Sequence, residues 1–319
     1  MKYNTHTLDN GLRIIHLPSD SKVVYCGYQI NAGTRNEEPG EEGLAHFCEH
    51  VTFKGTERRK AWHILNCLES VGGDLNAYTN KEGTVYYSAI LKEHIARAVD
   101  LLSDIVFHSV YPQAEIDKEV EVICDEIESY NDSPAELIYD EFENILFKGS
   151  SLGHNILGTA EQVRSFTTED ALRFTRKLYR PDNAIFFAYG DIDFKKLVKL
   201  VGRALADDDS GKLAEEDCHA DFSGGTGFAG DENSITTEKS VSSVKSVGPK
   251  NYPSVGEEIA GQTIVMQKNT HQAHVMIGTR AYDVNDDRRM PLYLLNNILG
   301  GPGMNAKLNL ALREHNGLV

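Results

Sequence analysis

Two histidines and a glutamate fall within five positions, His46-Phe47-Cys48-Glu49-His50. On a helix His46 and His50 stand one turn apart, at i and i+4, so both imidazoles leave one face at a spacing that suits a single metal ion. Glu49 lies in the same turn, rotated by about 100° from His50, where its carboxylate can reach a metal-bound water without ligating. The order is the reverse of the zinc-binding H-E-x-x-H. A catalytic zinc keeps three protein ligands and one open position, so a third ligand is required. The segment Gln113 to Tyr130 offers Glu115, Glu119, Glu121, Glu126 and Glu128. Glu119 and Glu126, two helical turns apart, share a face beside apolar Val120, Ile123 and Ile127, and spacing leaves both open. Cys48 and Cys124 project about 200° away from His46 and Glu126 and read as core thiols.

Elements that could position these groups are legible along the first two thirds of the chain. Gly11 to Leu17, Val23 to Asn31, Asp74 to Thr79, Thr84 to Leu91 and Ala184 to Gly190 read as strands, rich in Ile, Val, Tyr and Phe. Helical patterns run over Gly43 to Phe53, Ala61 to Val71, Lys92 to His108, Gln113 to Tyr130, Pro134 to Phe147, Thr168 to Leu178 and Asp193 to Leu205. The acidic loop Glu37-Glu38-Pro39-Gly40-Glu41-Glu42 sits where a helix N-terminus favours negative charge. Between Ala206 and Gly261, Gly, Ser, Asp, Glu and Thr dominate, which marks a linker or disordered insertion. Strands are expected again at Thr263 to Gln267 and His274 to Thr279, then helices at Arg289 to Leu299 and Met304 to His315. Gly-Thr-Arg closes the second strand both times, at Gly33 to Arg35 and Gly278 to Arg280, which suggests a duplication whose second copy is incomplete. The expected division is 1–205, 206–261 and 262–319. Gly300-Gly301-Pro302-Gly303 lacks the Lys-Ser or Lys-Thr of a phosphate cradle and reads as a helix stop. His271 and His274 read as solvent-exposed.

The 319 residues carry 40% hydrophobic and 25% charged side chains, ordinary globular usage that excludes a disordered or fibrous chain. A net charge of −16 repels phosphate backbones and anionic lipid, so neither nucleic acid nor a membrane is an expected partner. No run approaches the ~20 apolar residues of a membrane span. The five cysteines are scattered without a C-x-x-C pair, which points to free thiols in a reducing, cytoplasmic setting.

H-x-x-E-H is the inverzincin signature, and the chain resembles the pitrilysin family (M16) of zinc metallopeptidases, the group holding insulin-degrading enzyme and the mitochondrial processing peptidases. The resemblance covers most of residues 1–205 and rests on Asp9-Asn10-Gly11-Leu12, the Gly-Thr-Arg loop, Gly43 to His50, Phe53-Lys54-Gly55-Thr56, Gly72 to Ala77 and the run Glu119 to Glu128. In that family the third ligand is a glutamate about 75 to 77 positions beyond the second histidine, which implies Glu126, 76 positions beyond His50. Glu119 matches the acid that assists the site. The resemblance implies Zn2+ as cofactor and hydrolysis of unstructured peptides by a metal-activated water, with Glu49 carrying the proton. It implies that an extended peptide pairs with the strand at Asp74 to Thr79, with Asn76 and Ala77 binding substrate. A second, non-metal domain of the family donates an Arg and a Tyr to substrate; Arg313 matches the Arg, and the Tyr would fall at position 320. A longer protein is therefore expected, with poor cleavage by this piece alone. The fold expected is α+β, a duplicated mixed, largely antiparallel sheet packed by helices. The resemblance also admits a homodimer, or a heterodimer with a homologous subunit. The alternative function is a non-catalytic peptide-binding subunit paired with an active homologue.

Overall fold

The chain enters through a polar strand, β1 (Asn4–Thr7), which turns back antiparallel on β2 (Arg13–Pro18). β3 (Val23–Ile30) alternates inward Val24, Cys26, Tyr28 and Ile30 with outward Val23 and Tyr25, the period expected of a half-buried strand. With β4 (Asp74–Thr79), β5 (Thr84–Leu91) and β6 (Ala184–Gly190) these form one six-stranded sheet of order β1-β2-β6-β3-β5-β4. β2 and β6 run parallel and every other neighbouring pair is antiparallel, so the sheet is mixed and largely antiparallel, as expected. This computed structural model describes residues 2–206, 263–268 and 272–318. Two compact units are present, one ending at Gln272 and one beginning at Ala273.

Helices of the first unit are α1 (Leu44–Thr52), α2 (Ala61–Glu69), α3 (Ile95–Phe107), α4 (Gln113–Asn131), α5 (Pro134–Leu146), α6 (Ala160–Val163), α7 (Thr168–Leu178) and α8 (Phe194–Ala206). α3 lays Ile95, Ala98, Val99, Leu102 and Ile105 on β3 and β5, and Tyr28 sends its hydroxyl to Ser103 at 2.8 Å so that no buried phenol is left unpaired. Tyr25, Leu91 and Tyr189 on the other face of the sheet stay exposed. The second unit holds α9 (Arg289–Gly300) and α10 (Lys307–Asn309), which runs into a π turn at Leu310–Glu314. α9 stops at the Gly300-Gly301 pair, as read from the sequence.

Several expectations are corrected. β1 and α6 carry no apolar pattern that would announce them in the sequence; β1 is held by its ladder to β2 rather than by burial. Thr263 to Gln267 and His274 to Thr279 form no strand: they have no ladder partner among the described residues, and Val265 and Ile277 stand 82% and 91% exposed. A β-rich composition gives a strand only when another edge satisfies its backbone. The helix expected from Met304 starts later, because Ala306 N–H closes a turn on the Gly303 carbonyl. Apart from Ala206, the tract to Gly261 lies outside the described residues, as do Cys218 and His271. His274 is exposed. Among the described residues no helix is long and apolar enough to cross a membrane.

Candidate metal centre

α1 is nine residues long and buries Leu44, Phe47, Cys48 and Val51, an i, i+3, i+4, i+7 stripe. Committing that stripe to the core turns His46, Glu49 and His50 to the opposite side. α4 does the same with Ile116, Val120, Ile123, Cys124 and Ile127, leaving Glu119 and Glu126 at the margin of its buried face, and α1 packs on α4. Cys48 and Cys124 are thus core thiols, as their angular positions required.

Glu126 Oε2 lies 3.3 Å from His50 Nε2 and 3.8 Å from His46 Nε2. The candidate donor atoms of His46, His50 and Glu126 all lie within 4.8 Å of one another. A tetrahedral zinc with bonds of about 2.0–2.2 Å separates its ligand atoms by about 3.3–3.6 Å, so the three side chains fit that ion, two imidazoles and one carboxylate being a common catalytic set. The spacing that left Glu119 and Glu126 equivalent resolves in space. With the proton assigned to Nδ1, His50 donates to Glu119 Oε1 at 3.0 Å, which turns Nε2 toward Glu126. Lys54 Nζ donates to the other Glu119 oxygen at 2.6 Å.

Electrostatics sort the group. Burial, and then the neighbouring His50, push His46 down to about 4, so its lone pair is free at neutral pH. Burial opposes charge on His50 as well, yet its hydrogen bonds to Glu119 and Glu126 raise it to about 9. The His50 hydrogen bond holds Glu126 below the ordinary carboxylate range; Glu119, despite burial, is held low by His50 and Lys54. Glu49 is the opposite case. Burial pushes it up, against a hydrogen bond donated by Thr79 Oγ1 at 2.5 Å.

Thr79 ends β4, which among the described residues pairs with β5 alone and forms the edge of the sheet beside α1. Asn76 and Ala77 lie on this strand, and Asn76 Oδ1 accepts from Ala77 N–H at 2.8 Å. Arg313 lies in the second unit, in the π turn, 57% exposed and 3.9 Å from Glu314. His46, His50, Glu119 and Glu126 are therefore brought together, Glu49 is fastened to the edge strand, and Arg313 belongs to another compact unit. Sequence reasoning quoted Lys54 and Thr79 inside motifs but gave them no part; both act through contacts distant in sequence.

Residues 14–160 match the profile of insulinase (peptidase family M16), and residues 165–319 match that of the peptidase M16 inactive domain. An uncharacterised zinc protease of Bacillus subtilis is 31% identical over 319 residues, 98% of this chain and 68% of that protein. The beta subunit of the mitochondrial-processing peptidase of Saccharomyces cerevisiae is 38% identical over 197 residues, 61% of this chain and 42% of that subunit. A solved protease from Helicobacter pylori superposes with a TM-score of 0.61 at 26% identity, covering 64% of this chain and 49% of its own. The chain thus spans about half the length of the yeast and Helicobacter proteins. By the two family profiles, which together cover nearly its whole length, and by likeness to the Bacillus protein over 98% of its residues, it belongs to peptidase family M16.

Proposed function

We propose that the chain is the metal-bearing part of a zinc-dependent endopeptidase that cleaves unstructured peptides. The observation that carries this is the convergence of His46, His50 and Glu126 from two helices onto one ion-sized space. These three would hold Zn2+, and Glu119 would orient His50. When bound, zinc supplies a Lewis acid that polarises a peptide carbonyl and makes water acidic near neutral pH. Glu49, lifted by burial and held by Thr79, would accept a proton and return it to a leaving amine. The edge of β4 would offer backbone groups to an extended peptide, with Asn76 and Ala77 lining it; for Arg313, in the second unit, the substrate role is proposed on the resemblance alone. Such pairing reads extension rather than identity, which suits unfolded substrates.

In this reading residues 1–205 form the catalytic domain and residues 262–319 belong to a homologous non-metal domain. The free thiols Cys26, Cys48 and Cys124 suit a reducing, cytoplasmic setting. The yeast relative is named as a subunit, which favours action as a homodimer or beside a homologous partner. An intact Glu49 and ligand set speak against a purely non-catalytic subunit. Zinc content and cleavage of a quenched random peptide library, measured for wild type and Glu49→Gln, test the proposal. Zinc retained with cleavage abolished is expected; Glu49→Gln cleaving at the wild-type rate overturns it.

A further inference from the structure

Helix α1 has no cap of its own. Its N-cap residue, Gly43, sits at φ +97° and has no side chain to offer the unpaired N–H groups of the first turn. Glu37 takes that part from six residues upstream: Oε1 accepts from Ala45 N–H at 2.8 Å and Oε2 from Gly43 N–H at 3.2 Å. The same carboxylate receives His154 Nε2 at 2.8 Å, with the Glu37 side chain only 1% exposed. The other acids of the loop go elsewhere, Glu38 to Lys177, Glu41 to Arg173 and Glu42 to Gln162. Only Glu37 of the four turns into the helix. His154 comes from the segment between α5 and α6, which crowds the start of α1 so closely that a Cβ on Gly43 would meet the Leu157 carbonyl oxygen at 2.7 Å.

We infer that Glu37 and His154 are positioning residues, a carboxylate–imidazole clamp that fixes the first turn of α1 and thereby the aim of His46 and His50. Ala45, whose N–H the clamp holds, immediately precedes His46. Two ligands on a nine-residue helix turn together with it, and a metal site tolerates displacements of only about 0.5 Å. Neither Glu37 nor His154 is a ligand; both act through the backbone of the helix. The inference rests on His46, His50 and Glu126 being the metal centre.

The test uses the full chain as wild type, Glu37→Gln, His154→Ala, His154→Gln and the double variant Glu37→Gln/His154→Ala. Affinity for Zn2+ is read by chelator competition, the site geometry by the visible spectrum of the Co2+ form, and turnover as kcat and KM on the quenched peptides. Glu37→Gln is expected to weaken Zn2+ binding about tenfold or more, shift the Co2+ spectrum and lower kcat with KM unchanged. His154→Ala should do the same more weakly, His154→Gln should restore most of the loss through its amide N–H, and the double variant should be no worse than Glu37→Gln. Should Glu37→Gln fail to fold, the two His154 variants carry the test. Variants that melt earlier yet keep wild-type Zn2+ affinity and Co2+ spectrum overturn the clamp and leave it a stability feature. A wild-type chain that binds no Zn2+ overturns the metal centre and the clamp with it.

Discussion

α1 and α9 follow the same tripeptide, Gly-Thr-Arg, and meet opposite ends. α1 buries seven of its nine residues, whereas α9 buries none of its twelve. Ahead of α1, Thr34 and Arg35 N–H groups donate to the carbonyls of Asn80 and Lys81, so the loop is stitched to the β4–β5 hairpin. Ahead of α9, Gly278 and Thr279 are exposed and outside any ladder. Both helices carry an apolar stripe, but Tyr293 and Leu294 of α9 stay 68% and 61% exposed. A repeated motif thus specifies a local bend and a helix. Whether that helix becomes a platform for chemistry depends on the strands and helices that receive it.

The contrast can be broken most directly at the polar side of α1. Glu49→Gln should lower peptide turnover by about 10²–10⁴-fold while leaving zinc content unchanged, whereas Asn297→Asp on α9 should leave turnover as it was; parallel rate measurements decide it. Packing should divide the helices in the same sense. Phe47→Ala is expected to cost about 3–5 kcal/mol in denaturant unfolding, and Leu295→Ala, half exposed on α9, under about 0.5 kcal/mol. Equal costs would show α9 to be buried in solution. Glu119→Gln, which releases His50 and Lys54, should weaken Zn2+ binding by about 10–100-fold in a chelator titration. The smallest effect per step is that of pH. Since His50 titrates at about 9 in the ion-free protein and His46 at about 4, zinc must displace one proton between those values. Zn2+ affinity should therefore rise by about tenfold per pH unit below pH 9 and flatten above it; a flat profile from pH 6 to 8 would show His50 already neutral.

Much of the site could be read in the sequence because its parts are local. The i, i+4 histidines and the stripe of Leu44, Phe47, Cys48 and Val51 fix α1 and its two sides without any long-range knowledge. Glu119 and Glu126 are equivalent by spacing; the resemblance implies Glu126 as ligand and Glu119 as the assisting acid, and the His50 ring turns one nitrogen toward each. Thr79, Lys54 and His154 were not legible, since a hydrogen bond between Thr79 and Glu49 or between His154 and Glu37 spans dozens of residues and leaves no periodic trace. The same physics misled at Thr263 to Gln267 and His274 to Thr279, where β-branched and apolar side chains stood without a ladder to join.

β6 has a consequence for how the protein is made. Among the described residues it is the strand that lies between β2 and β3 and pairs with both, although it stands more than 150 residues after them in the chain. Until β6 is made, the β1–β2 hairpin and the β3-β5-β4 strands are joined through the 19–22 connection and still lack the strand that pairs with both. Cutting the gene at residue 160, where the first family profile ends, would preserve every candidate ligand and yet remove the strand that knits their scaffold together.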